Sequence, residues 1–266
     1  MGASQAAALQ EYSRLTVLTK DEKRAGIYSE LEFIPQSTEA GTPYAYIAPQ
    51  GLGSRYQLLP TVLAVSDDEQ HHVSKFFRTW RADSRGWQVV IPLRGAIDMP
   101  YLYEAQGLDI IQRFMKRIVA DEMRALLPNG VEGSKFHLVG LGSGGGTVTA
   151  LAVCVPELVA SLTVVRGFIP RTLRDQDLER LRKVLSIRMY LAEGDERKWV
   201  AAMNKMKSRL DALSIPADFQ VYAGGPDITL LVDIGRFWQG LQLARPNVTQ
   251  KELTPPDAVG LLEDAV

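Results

Sequence analysis

Short apolar runs alternate with segments of helical periodicity along most of this chain. Thr61–Val65 is a continuous apolar run, which is typical of a parallel strand buried on both faces. Seven further strand-like runs predict strands at Leu31–Ile34, Tyr44–Ala48, Trp87–Ile91, Phe136–Leu141, Ser161–Val165, Ile187–Ala192 and Asp218–Ala223. Strands that alternate with helices indicate right-handed βαβ units. The pattern therefore predicts an α/β fold: a mostly parallel sheet of about eight strands with helices on both faces.

The segments of helical periodicity divide the chain into three parts. Helices are predicted at His72–Trp80, Leu108–Leu127, Gly145–Val155, Asp175–Val184, Arg197–Leu213 and Ile228–Leu241. Residues 1–28 are alanine-rich and then charged, which predicts a helical N-terminal arm. Residues 29–243 form the α/β domain, and residues 244–266 form a loose polar tail that contains three prolines. A chain of 266 residues, 46% of them hydrophobic, is long enough for one substantial core.

A strand, a glycine turn and a helix follow one another in the sequence FHLVGLGSGGG at residues 136–146. A sharp strand-to-helix turn needs small residues two positions before and two positions after its apex. With Gly142 at the apex, those positions are Gly140 and Gly144. With Ser143 at the apex, Leu141 would occupy the crowded inner position. We therefore expect Gly142 at the apex, with a positive φ, and Ser143 as the first residue of the helix.

Further phrases follow in a fixed order: GWQVVIP at 86–92, VPELVASL at 155–162, LAEGDE at 191–196 and YAGGPD at 222–227. With the glycine turn, they resemble the α/β-hydrolase superfamily over residues 29–243, and most of all its small esterases of the carboxylesterase and phospholipase type. The resemblance implies the α/β-hydrolase fold, with the nucleophile elbow after the fifth strand. It also places the catalytic acid at Asp195 and the catalytic histidine position at Asp227.

The triad that the resemblance implies is degenerate. Ester hydrolysis in this fold needs a nucleophile, an imidazole base, an acid that orients the base, and donors for the oxyanion. The nucleophile position is Gly142 and the imidazole position is Asp227, so only Asp195 keeps its chemical type. The loop after the third strand carries Asp67 and Asp68, whose charges would repel a developing oxyanion. The sequence therefore predicts a non-catalytic domain, a pseudoenzyme.

An atypical serine esterase or lipase-like hydrolase is the alternative. In that mechanism Ser143 is the nucleophile, His71 or His72 is the base, and Asp195 orients the base. The simpler interpretation of the histidine pair, solvated residues at the start of a helix, is the one we prefer. The third histidine, His137, lies within the fifth strand and is expected to pack in the core.

No metal or cofactor is predicted. Asp67, Asp68, Asp195 and Asp227 follow strand ends, where converging carboxylates would suit a divalent cation, but solvated loop acids explain them more simply. The run GLGSGG also matches the dinucleotide fingerprint G-x-G-x-x-G. However, it follows the fifth strand rather than the first, and the next strand ends in Val-Arg instead of an acidic residue. Only the arginine, Arg166, would favour a cofactor, through a 2′-phosphate.

Composition narrows the choice of partners. Thirty basic and 31 acidic residues give a net charge of −1, so nothing favours nucleic acid. No apolar run approaches the length of about 18 residues that a membrane span needs, and the N-terminus lacks a secretory pattern. The single cysteine, Cys154, lies in an apolar helix and is expected to be buried. These features predict an intracellular protein in a reducing compartment, most simply the cytoplasm.

The functional prediction is therefore a binding or scaffold subunit with protein partners, within a larger assembly. The candidate docking segments are residues 1–28, the tail at 244–266, and the charged segment 171–183. Segment 171–183 lies where hydrolases carry lids or caps, and we expect it to form a surface helix with one narrow apolar edge at Leu178 and Leu181.

Overall fold

In the computed structural model, the described residues are 31–34, 44–47, 59–65, 87–92, 131–223, 241 and 244, and every structural statement below refers to them. The apolar runs form strands close to their predicted positions. The strands are β1 (Leu31–Ile34), β2 (Tyr44–Ile47), β3 (Leu59–Val65), β4 (Gln88–Pro92), β5 (Val131–Leu141), β6 (Val159–Val165), β7 (Ser186–Ala192) and β8 (Asp218–Tyr222).

These strands join one sheet in the order β1-β2-β4-β3-β5-β6-β7-β8. The pairs from β4 through β8 are all parallel, while β2 is antiparallel to both β1 and β4. The predicted mostly parallel sheet is therefore confirmed. The predicted total of about eight strands and the division into arm, domain and tail stay predictions, because much of the chain lies outside the described residues.

The core lies around the helix that follows β5. This helix, α1 (Ser143–Cys154), begins at Ser143 as the turn argument predicts, two residues before the start that periodicity predicts, and every residue after Ser143 is buried. Its side chains are small or apolar, and its two threonines, Thr147 and Thr149, are buried as well, so α1 is a core helix. The strands β3 and β6 are also buried along their whole length. Cys154, at the end of α1, is buried, which confirms the sequence prediction for that residue.

The charged segment 171–183 differs from its prediction as a single surface helix. It forms one short helical turn, α2 (Asp175–Leu178), and continues as a 3-10 turn, Glu179–Lys183. A 3-10 helix has three residues per turn, so Leu178 and Leu181 lie on the same side. Both leucines are fully buried in the main hydrophobic cluster. The narrow apolar edge is therefore part of the core.

Arginines of this segment bind backbone carbonyls of the domain. Arg180 Nη2 donates to the carbonyl oxygen of Cys154, at the end of α1, over 2.9 Å. Arg182 Nη1 donates to the carbonyl oxygen of Ser214 over 3.1 Å, just beyond the helix α3 (Arg197–Ala212). Both bonds satisfy carbonyls near helix C-termini, where cations are also favoured. Arg180 and Arg182 thus interact with the domain itself, so part of the positive charge of this segment is already engaged there.

Candidate active site

The turn between β5 and α1 has the backbone geometry of a strained elbow. Gly142 has φ 58° and ψ −124°, and Ser143 is the first residue of α1. The Gly142 N–H donates to the carbonyl oxygen of Val165, at the end of β6, over 2.9 Å. A side chain in this conformation would carry a strain of about 1–3 kcal/mol, which glycine avoids. The prediction that Gly142 has a positive φ and precedes the helix is confirmed.

Close packing explains the small residue before the apex. A Cβ atom on Gly140 would lie 2.5 Å from the carbonyl oxygen of Gly144 and 2.4 Å from Val148 Cγ2. The positions two before and two after Gly142 therefore lie against each other, as the sequence argument requires. Leucine could not occupy the place of Gly140, which is why the apex falls at Gly142 and not at Ser143.

Ser143 lies beside the apex in a different setting. It is half-buried at the first position of α1, with ordinary helical backbone. Within the described part of the chain its hydroxyl has no hydrogen-bond partner, and no histidine nitrogen contacts it. His71 and His72, its candidate bases, lie outside the described residues. The roles of all three residues in catalysis stay predictions.

Asp195 lies in the turn after β7 and is held by that turn. Its Oδ2 accepts a hydrogen bond from the Ala192 N–H over 2.7 Å, and its side chain is 0% exposed. Burial raises the pKa of Asp195 above its usual range, while the Ala192 N–H and the cation of Arg166 act in the opposite direction. Asp195 thus lies buried in the turn after β7, and its role as a catalytic acid stays a prediction.

Arg166 is a site residue that sequence reasoning missed. The sequence suggests for it only a contact with a cofactor phosphate, yet its Nη1 lies 3.7 Å from Asp195 Oδ1. Arg166 directly follows β6, which lies between β5 and β7 in the sheet. Gly142, Arg166 and Asp195 consequently follow the carboxyl ends of three neighbouring parallel strands. Ligands of open α/β sheets bind at this edge.

His137 is a core residue, as predicted. It lies in β5, where a hydrogen bond of 2.8 Å joins its Nδ1 to Ser161 Oγ on β6. Its ring packs edge-on against Trp87, with 4.8 Å between the ring centroids. Because His137 is buried, it lacks the access to substrate and solvent that a catalytic base needs.

Several predicted positions lie outside the described residues. They are the vestigial histidine position Asp227 and the acidic loop residues Asp67 and Asp68. Among the residues that the structure does describe, no group of three or more potential metal ligands comes together. Within the same residues, no helix is both long enough and apolar enough to cross a membrane.

Solved structures resemble this chain although sequences do not. No protein-family model and no curated protein sequence matches it. A predicted CIB-like hydrolase from Thermoplasma acidophilum has a TM-score of 0.57 at 14% identity, covering 81% of this chain and 98% of its own. The S-formylglutathione hydrolase FrmB from Staphylococcus aureus has a TM-score of 0.57 at 13% identity, covering 81% and 99%. A putative dienelactone hydrolase from Klebsiella pneumoniae has a TM-score of 0.58 at 13% identity, covering 80% and 97%.

These similarities extend over four fifths of this chain and nearly the whole of each of those proteins. The chain therefore has the α/β-hydrolase fold, as the resemblance in its sequence predicts. At 13–14% identity to these three proteins, the similarity establishes the fold and leaves the activity open. Whether this domain catalyses a reaction must be argued from its own site.

Proposed function

We propose that this chain is an α/β-hydrolase-fold protein without ester-hydrolysing activity, which serves as a binding or scaffold subunit. The observation that carries the proposal is the glycine at the apex of the elbow, with φ 58°. The apex is where this fold presents its nucleophile above the sheet. Glycine has no nucleophilic group, and it also removes the backbone strain that a serine would carry there. In this proposal, glycine relieves the strain of the turn and leaves the apex without a group that could attack an ester.

Ester hydrolysis by Ser143 is the second candidate, and the comparisons favour it. The similar structures described above are hydrolases by their titles, and another is a fluorophosphonate-binding serine hydrolase of Staphylococcus aureus. Ser143 would have to act from the first turn of α1, one residue beyond the apex. It would also need a base within about 3.2 Å of its hydroxyl. His71 and His72 are the residues proposed for that task.

Labelling with a fluorophosphonate serine probe separates the two candidates. We expect no covalent adduct on the unmodified protein by intact-mass spectrometry, because a serine without a positioned base is a weak nucleophile. Ser143→Ala is the matched control, and an active serine hydrolase run in parallel shows that the probe is competent. An adduct on the unmodified protein that Ser143→Ala abolishes would establish the esterase and overturn the proposal.

The scaffold role has its own test. Native purification of the full chain from its source, followed by mass spectrometry, should recover it in a complex larger than its own mass of 29.4 kDa. Two shortened forms, one without residues 1–28 and one without residues 244–266, should be compared with the full chain, because these are two proposed docking segments. Recovery of all three forms as free monomers would contradict a subunit role.

A further inference from the structure

The two carboxylate oxygens of Asp195 have different surroundings. Oδ2 accepts the Ala192 N–H over 2.7 Å and is thus used inside its own turn. Oδ1 is the oxygen left for a partner from another element. In a serine hydrolase that partner is the imidazole N–H, which the acid holds in the correct tautomer and orientation. The group that lies beside Oδ1 is therefore the interaction partner of Asp195 in this chain.

That group is the guanidinium of Arg166. Its Nη1 lies 3.7 Å from Asp195 Oδ1, and the two side chains are only 14% and 0% exposed. The backbone of Arg166 is fixed as well, since its N–H donates to the carbonyl oxygen of Tyr190 on β7 over 3.1 Å. Arg166 has φ 51°, a left-handed conformation that is uncommon for a residue with a side chain. The chain thus accepts a cost at Arg166 at the place where its side chain meets the acid.

We infer that Arg166 is the positioning partner of Asp195, and that its guanidinium takes the place of the imidazole beside the acid. The inference deepens the proposed function and rests on it, because it explains why the acid is kept after the nucleophile is lost. The pair joins the end of β6 to the turn after β7. Asp195 is then engaged within the domain and is not free to orient a histidine base or to hold a cation.

Charge attraction dominates this pair. A distance of 3.7 Å is too long for a direct hydrogen bond, and neither Asp195 Oδ1 nor Arg166 Nε has a hydrogen-bond partner within the described part of the chain. The other charged group that acts on Asp195 there is its neighbour Glu196, which raises the pKa of Asp195. Removal of the cation would leave a buried carboxylate next to a like charge. Breaking a buried pair in this way is costly.

A double-mutant cycle in denaturant unfolding at pH 7 tests the inference. Arg166→Gln, Asp195→Asn and the double variant should show a coupling of roughly 3- to 100-fold in the unfolding equilibrium constant. Arg166→Lys should recover part of the loss, because it keeps the charge, and Arg171→Gln is the control at an exposed arginine. Additive single effects, or no recovery by lysine, would overturn the inference. If Arg166→Gln does not fold, recovery of folding by Asp195→Asn supports it and continued failure overturns it.

The pH dependence of stability gives a readout that packing alone would not change. Loss of the Arg166 cation should raise the pKa of Asp195 further in the folded protein, while the unfolded value stays the same. Between the unfolded and the folded pKa of Asp195, the folded state then holds more protons than the unfolded state. Stability therefore falls as pH rises from the unfolded pKa through the folded pKa. Arg166→Gln should lose more stability between pH 4 and 7 than the unmodified protein, and Asp195→Asn should remove the difference.

Equal slopes in the two proteins would show that Arg166 does not act on Asp195. The result of fluorophosphonate labelling of the unmodified protein does not depend on the result of the double-mutant cycle. A labelled protein with a coupled pair would overturn the proposed function alone. An unlabelled protein with an uncoupled pair would overturn the positioning role alone.

Discussion

Gly140→Ala should destabilise the domain by about 3 kcal/mol or more, or prevent its folding. The added Cβ would lie 2.5 Å from the carbonyl oxygen of Gly144 and 2.7 Å from its carbonyl carbon. Both are backbone atoms of the first turn of α1, so no rotamer change can relieve the contact. The measurement is the free energy of unfolding in urea, or the yield of folded protein where the variant does not fold.

Gly142→Ala is the matched control for this prediction. At the apex the expected cost is the backbone strain of φ 58°, about 1–3 kcal/mol, and the protein should fold. The two variants separate close packing from conformational strain within one turn. A Gly140→Ala variant as stable as Gly142→Ala would show that the turn can relax. Leucine would then be tolerated before the apex, and the argument against Ser143 as the apex would be lost.

Leu181→Ala should cost about 2–5 kcal/mol in the free energy of unfolding. The side chain of Leu181 is fully buried in the main cluster, so truncation removes apolar contacts and leaves a cavity. Leu185→Ala is the matched control, because Leu185 is 58% exposed and lies just four residues further along. We expect its effect to stay within about 0.5 kcal/mol.

This comparison also decides how segment 171–183 should be regarded. A large effect at Leu181 means that the segment is part of the core and cannot leave it as a lid without exposing that cluster. Arg209 of α3 supports the same view, since its Nε donates to Asp175 over 3.0 Å. Equal and small effects at Leu181 and Leu185 would instead indicate a loosely docked segment, which is better suited to a partner.

Three features of the candidate site are present among the described residues. The elbow turn, the buried acid and the parallel strand ends are in place, and each depends on local backbone geometry. Gly142, at the apex of the elbow, carries no side chain. Arg166 adds a charge next to Asp195 at the same edge of the sheet. The proposed function rests on the glycine at the apex of the elbow.

Much of this could be determined from the sequence alone, because the forces concerned act locally. Short runs of predominantly apolar residues predicted β3 and β6, since a strand buried on both faces has few polar side chains. The spacing of small residues around Gly142 predicted the apex, because that clash is set by neighbours within one turn. The core setting of His137 followed from its place within an apolar strand.

Only the tertiary structure decided features that depend on which strand ends are neighbours. Arg166 and Asp195 are 29 positions apart in the sequence, and they meet because β6 and β7 pair in parallel register. The segment 171–183 has the charge pattern of a surface helix, yet Leu178 and Leu181 are buried in the main cluster, and the segment continues as a 3-10 turn. Local propensity is weak beside the burial of two leucines. Periodicity along the chain predicts local structure. It does not predict which distant residues pair or are buried together.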